Sequence, residues 1–311
     1  MGMKSTSKKS VKFRNSAFAD LMFYYGYKAT RFFLRILPKP VINILSFCLA
    51  RIIYLLNRTH RKIIFKNLEF FLSTSNSDKK KIAKFLYLRY TRYLFDMLGS
   101  EFRDPEKLRK IVKIENDEKI KESIAKDEKI IMISAHYGYW ELIGQSLSAF
   151  YRPFLTVAQT LNNSKRLTEE LNNYRKMYNM EVVNKNGAMR SVANALKNGK
   201  IVGFLTDQSP RTGVKVTFFN REIIWYESAS RLAKQFDAVI YPTYITTKDF
   251  CTYTLFFLDA IRPDPSLDRE EDVKRMAQLE AQSLEEAIGR DPSEYFWFHK
   301  RMKRQIKHFY V

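Results

Sequence analysis

Apolar positions divide the chain into two textures. Residues 17–37 interleave aromatic and aliphatic side chains with Lys28, Arg31 and Arg35; residues 41–57 are interrupted inside only by Asn43, Ser46 and Arg51. Pro38 and Pro40 separate the two stretches, and each predicts a helix. Neither offers the charge-free run of 18 or more residues expected of a spanning helix. Both fit helices lying in a membrane interface with basic residues toward anionic headgroups. Residues 59–72 and 78–98 continue with helical period, the second with Asp78 as N-cap and a stripe that includes Phe85, Tyr90, Tyr93 and Phe95. Asp104-Pro105 opens a short helix, and 115–125 is charged and reads as exposed.

From Lys129 the period changes. Strands are predicted at 129–135, 154–159, 181–184 and 201–206, alternating with helices at 139–149, 164–178 and 187–198. Strand-like 214–219 and 221–225, helix 227–236, and strands 238–245 and 251–258 follow. Two helices, 268–289 and 292–308, close the chain. Such alternation predicts an α/β fold: a central, mostly parallel sheet covered by helices on both faces. We divide it into a basic-apolar, membrane-associating helical region at 1–72 and a main domain at 73–311.

Charge sharpens that division. The 311 residues carry a net charge of +21. Residues 1–100 hold 20 Lys/Arg against 4 Asp/Glu, or +16, which leaves +5 for the rest. A polyanionic partner for the N-terminal third follows. The continuous apolar surface between the charges favours an anionic membrane surface over nucleic acid, and no nucleic-acid partner is expected. The basic start (Lys4, Lys8, Lys9, Lys12, Arg14) lacks the apolar run and cleavage site of a secretory signal. Charge of this density stays on the cytoplasmic side of a membrane. Met1-Gly2 with Thr6 nominally fits myristoylation, although Met3 reads as the native start. Cys48 and Cys251 make no disulfide framework. His60, His136, His299 and His308 lack metal-ligand spacing, so neither metal nor cofactor is expected. Phosphate-cradling loops, GxGxxG and GxSxG are absent from the sequence.

The candidate chemistry lies where strands end. Ile130–Ile133 is an apolar run that gives way to Ser134-Ala135-His136-Tyr-Gly138-Tyr-Trp-Glu141 and then to a helical pattern. A histidine at the C-terminal end of a buried strand occupies the position where open α/β sheets hold their ligands. On a continuous helix His136 and Glu141 would point about 140° apart. Gly138 allows the turn that would bring them together. Glu141, in the first helical turn, would then be ionised and could orient His136 as a base toward a hydroxyl. A His-x4-acid spacing is common by chance, so the strand–turn–helix context carries the reading. Asp207-Gln208, at the end of the 201–206 strand, should share that sheet edge, in a loop set by Pro210 and Gly213. Arg175 could supply fixed positive charge.

Six ordered blocks over roughly residues 20–308 resemble the bacterial lipid A biosynthesis acyltransferases, the late lauroyl/myristoyl transferases of the lysophospholipid acyltransferase superfamily. They are Arg61-x-x-Ile64-x-x-Asn67-Leu68; His136-x4-Glu141; Arg175; Asp207-Gln208; Val216-Thr-Phe-Phe219; and Trp297-x-His299-Lys-Arg301-x-Lys303. The chain departs from the family at Asn220, where a glycine follows Phe-Phe, and at Trp225-Tyr226, where small residues are common. Gln159-Thr-Leu-Asn-Asn163 replaces a Pro-rich segment. The resemblance implies transfer of a fatty acyl chain from an acyl-carrier-protein thioester to a hydroxyl of a lipid A precursor, at the cytoplasmic face of the inner membrane. It implies His136 as general base and Glu141 orienting it. Arg175, Asp207 and Gln208 would meet substrate, and Arg175 or backbone N–H groups near Gly138 would stabilise the oxyanion. The basic third and the tail (Lys300, Arg301, Lys303, Arg304, Lys307) suit a phosphorylated lipid and an acidic carrier protein. A lysophospholipid or other glycolipid acceptor, with acyl-CoA as donor, is the alternative that Asn220 and Trp225-Tyr226 motivate.

Overall fold

A computed structural model describes residues 17–99, 105–158, 165–184 and 187–310. Met1-Gly2 with Thr6, the basic stretch from Lys4 to Arg14, Asp104 and residues 159–163 lie outside these, and so do the expectations placed on them.

Four helices lead: α1 (Ala17–Ile36), α2 (Lys39–Leu56), α3 (Arg58–Leu72) and α4 (Asn76–Gly99). Proline in the first turn starts α2, where its missing N–H costs nothing. The Asn57 side chain caps α3 by accepting the His60 N–H at 3.2 Å. At α4 the cap is Ser75, not Asp78. Ser75 Oγ accepts the Asp78 N–H at 3.2 Å and donates to its carboxylate at 2.6 Å, a reciprocal box that puts Asp78 in the first turn.

α1 and α2 leave their apolar side chains uncovered. Phe23, Phe32 and Phe33 of α1 and Ile44, Phe47, Ile52 and Leu55 of α2 are exposed, and Leu56 reaches 77%. By length and composition α2 is, among the described residues, the one helix able to cross a membrane, although Lys39 and Arg51 keep it from being charge-free. Arg51 lies 4.8 Å over the Phe47 ring. α3 differs: Ile64, Leu68 and Phe71 join one core cluster with Tyr87, Phe218 and Trp297.

After α5 (Pro105–Ile111) comes the α/β body, whose strands are β1 (Val112–Glu115), β2 (Lys129–Ser134), β3 (Phe154–Ala158), β4 (Met180–Asn184), β5 (Ile201–Leu205), β8 (Ala238–Thr246) and β9 (Tyr253–Phe257). They form one seven-stranded sheet in the order β1-β9-β8-β2-β5-β3-β4, parallel except for β8–β9, as the alternating pattern predicts. Helices α6 (Glu118–Ala125), α7 (Glu141–Phe150), α8 (Lys165–Arg175), α9 (Ala188–Lys197) and α10 (Ser228–Phe236) lie between the strands. Ile130 and Met132 of β2 enter one core cluster while Ile131 and Ile133 enter another, which is why that strand reads as an unbroken apolar run.

The hairpin β6 (Val214–Phe218) and β7 (Arg221–Trp225) stands apart as a two-stranded sheet. Its two turn residues, Phe219 and Asn220, have φ of 47° and 58°. Asparagine tolerates that left-handed conformation. A long helix, α11 (Arg269–Arg290), is capped by Asp268, which accepts the N–H groups of Glu270 and Glu271.

The helix expected at 292–308 does not form. Short 3₁₀ turns at Pro292–Glu294 and Arg301–Arg304 flank a stretch that is extended at Tyr295 and then turns through 297–299, with Tyr295 and Trp297 buried and Phe296 and Phe298 less so. Tyr295 makes an isolated antiparallel bridge to Tyr137. Finally, α1 is tied to α8: Asp20 pairs with Arg166 at 3.0 Å, and Glu170 receives Lys28 at 2.7 Å and Arg31 at 3.3 Å.

Candidate active site

β2 and β5 are parallel neighbours with Ser134 opposite Leu205, and the Thr206 N–H continues the ladder to the Ser134 carbonyl at 3.0 Å. His136 and Asp207 each stand two residues beyond those strand ends. They meet. His136 Nδ1 lies 2.9 Å from Asp207 Oδ1, and the His136 backbone N–H donates to Oδ2 at 3.1 Å. The Asp207 side chain is 4% exposed and the imidazole 17%. With Nδ1–H directed at Asp207, Nε2 is the nitrogen left to accept a proton. Trp140 and Phe296 pack beside the ring at 5.0 and 5.9 Å.

The turn after His136 requires Gly138. Its φ is +61°, and a Cβ there would stand 1.7 Å from the Ile245 carbonyl oxygen of β8. The Gly138 N–H donates to the Glu294 carbonyl at 3.0 Å, so it does not face the site as an oxyanion donor.

Glu141 opens α7, as expected, but its carboxylate is gripped by Arg175 at the end of α8. Nε donates to Oε2 at 2.9 Å and Nη2 to Oε1 at 2.6 Å, a two-point fork. Glu141 reaches His136 through its charge alone, and the acceptor for the imidazole Nδ1–H is Asp207. Gln208 is exposed on the same loop.

Electrostatics binds the pair. Burial works against a charged imidazole, yet the Asp207 carboxylate, helped by Glu141, lifts His136 above its usual range. Burial likewise opposes ionised Asp207, but His136 and then Arg301 hold its carboxyl below the ordinary value.

Residues without a local signal complete the site. Glu294 is fully buried and receives Arg89 Nη1 at 2.6 Å, Thr246 Oγ1 at 2.7 Å and the Tyr93 hydroxyl. Tyr90 places its hydroxyl between the carbonyls of His136 and Glu294, at 3.0 and 2.9 Å. Phe296 N–H reaches the His136 carbonyl at 2.8 Å. Asn67 of α3 donates to the carbonyls of Trp297 and His299 at 2.8 and 2.9 Å, joining two of the sequence blocks. Among the described residues no three His, Cys, Asp or Glu side chains gather as a metal site.

Cavities also form elsewhere among the described residues. One of about 370 Å³ lies between Asn43, Ile44 and Phe47 of α2, Leu88 and Arg92 of α4, and Phe250. Another, about 330 Å³, is bounded by Pro210, Arg211, Ile224, Arg304 and Gln305.

A buried histidine–aspartate pair thus lies at the carboxyl edge of a parallel sheet, where open α/β folds hold their ligands. The family model for bacterial lipid A biosynthesis acyltransferases matches residues 12–304, and the chain belongs to that family. It is an acyltransferase. Comparison with individually curated proteins gives no match.

Proposed function

We propose that the protein transfers a fatty acyl chain from an acyl-carrier-protein thioester to a hydroxyl of a lipid A precursor, with His136 as general base and Asp207 as the carboxylate that orients it. The reading is carried by the His136–Asp207 hydrogen bond at the sheet edge of a chain of this family. His136 Nε2 takes the hydroxyl proton as the oxygen attacks the thioester carbonyl carbon. The tetrahedral oxyanion collapses and expels the carrier thiolate, which takes the proton back from the imidazolium. No acyl group is bound to the enzyme. Arg175, held in place by Glu141, is the cation assigned to the developing oxyanion. Gln208, exposed beside Asp207, is assigned to the acceptor.

The exposed apolar faces of α1 and α2, with Arg35 and Arg51 exposed beside them, support a place on the cytoplasmic face of the inner membrane, where an anionic surface and lipid substrate coincide. The apolar cavity beside α2 offers hydrocarbon a second surface.

Purified protein, acyl-carrier-protein donor and tetra-acylated lipid A precursor should give a product heavier by one acyl group. His136→Ala should abolish that gain with the far-ultraviolet circular dichroism unchanged; equal activity in the variant removes His136 as the base. Transfer only to a lysophospholipid or other glycolipid, with acyl-CoA as donor, replaces donor and acceptor while keeping the base.

A further inference from the structure

The loop that carries Asp207 runs on into the cavity of about 330 Å³, which lies between that loop, β7 and the 3₁₀ turn at Arg301–Arg304. Hydrogen bonds tie its walls together. Gln305 engages both backbone groups of Ile224, accepting the N–H at 2.8 Å and donating to the carbonyl at 3.3 Å. Arg304 Nη1 donates to the Ser209 carbonyl at 2.9 Å, and Ser209 and Pro210 are buried. Walls fixed in this way are set before a ligand arrives. Consecutive Cα atoms are 3.8 Å apart, so the Cα of Arg211, four residues after Asp207, is no more than about 15 Å from that of the acid beside His136.

Charge decides what the cavity can take. Two guanidinium groups line it, those of Arg211 and Arg304, and Glu222 is the one acid among the lining residues. Glu222 is engaged with Lys215 across the hairpin at 2.8 Å. Among the described residues Arg211 has neither a hydrogen bond nor an ion pair, and Arg304 uses Nη1 alone. The cavity therefore presents two planar, permanently charged forks and no lining acid left to answer them. A carboxylate, with one charge and two oxygens, fills one such fork. A phosphate monoester has three acceptor oxygens and about 1.5 to 2 negative charges at pH 7, and can meet both.

We propose that this cavity binds a phosphate monoester of the acceptor lipid through Arg211 and Arg304. This rests on the reading of the protein as an acyltransferase whose acceptor hydroxyl meets His136. The acceptor is favoured over the thioester donor because Gln208, assigned to the acceptor, is exposed on the same loop between Asp207 and the cavity. Arg211 and Arg304 then hold the lipid at one point while the reacting hydroxyl lies at another, which fixes its orientation.

The test measures binding without a donor, so it needs no turnover. Full-length wild type, Arg211→Gln, Arg304→Gln and Lys274→Gln are titrated by calorimetry in detergent micelles. Two ligand pairs are used: the tetra-acylated lipid A precursor before and after phosphatase treatment, and lysophosphatidic acid against the monoacylglycerol that lacks its phosphate. Wild type should bind the phosphorylated member of at least one pair about tenfold tighter or more. For that member, Arg211→Gln and Arg304→Gln should each lose at least about fivefold, and both should bind the other member as wild type does. Lys274→Gln removes the same charge from an exposed position of α11 outside the cavity and should match wild type throughout. No phosphate preference in either pair overturns the proposal. Unchanged binding in either arginine variant, equal losses on both members of a pair, or a loss as large in Lys274→Gln does the same. So does a defect confined to KM for the acyl-carrier-protein donor in the transfer assay, which would give the cavity to the donor. Binding that follows the phosphate in a protein showing no acyl transfer faults the functional reading alone.

Discussion

Two carboxylates act on His136, and their geometry gives them different tasks. Asp207 touches Nδ1, whereas Glu141 spends both oxygens on Arg175. Asp207→Asn, which loses the acceptor that fixes the tautomer, should lower kcat by about 10²–10⁴-fold. Glu141→Gln should cost about tenfold, by loosening Arg175. Steady-state rates of both variants in one acyl-transfer assay decide the assignment, and the reverse ranking returns the imidazole to Glu141. At this scale His136 and Asp207 are each legible in the sequence, because each follows a recognisable buried strand. Their contact is not. They are 71 residues apart, and the local pattern does not encode which strands become neighbours. Glu294 and Arg301 are less legible still: a charged residue near the end of a chain reads as solvated until tertiary packing buries it.

Among the elements, the β2–turn–α7 unit has the least freedom. Gly138 is pressed against β8 and sits at positive φ, so Gly138→Ala combines backbone strain with a collision. We expect it to lower unfolding free energy by more than about 2 kcal/mol and to reduce kcat, read by urea titration and by the same assay. A stability within about 0.5 kcal/mol of wild type would contradict the contact with Ile245. The long α/β segments are legible because their periods are strong. β1 escapes, being only four residues at the sheet's edge, next to charged sequence. The 292–308 stretch misleads for another reason: its aromatics and basic residues can be drawn on a helix, while hydrogen bonds to His136, Asn67 and Pro292 hold it in a run of turns.

The whole molecule is electrically lopsided, and its basic end carries the uncovered apolar surface. We expect the protein to bind vesicles containing anionic lipid, less tightly as salt rises. Phe32→Ser/Phe33→Ser should weaken binding tenfold or more in a sedimentation assay, since both rings are exposed in the protein alone. Unchanged partitioning of that variant would move the contact to another face. Set against that one-sided exterior, the His136–Asp207 pair lies at the centre. β2 is the fourth of seven strands and β5 is next to it. Adjacent strands about 4.8 Å apart thus deliver His136 and Asp207 side by side, each two residues past its strand end. Remodelling at either rim of the sheet can re-tailor what is held there while that interval stays constant.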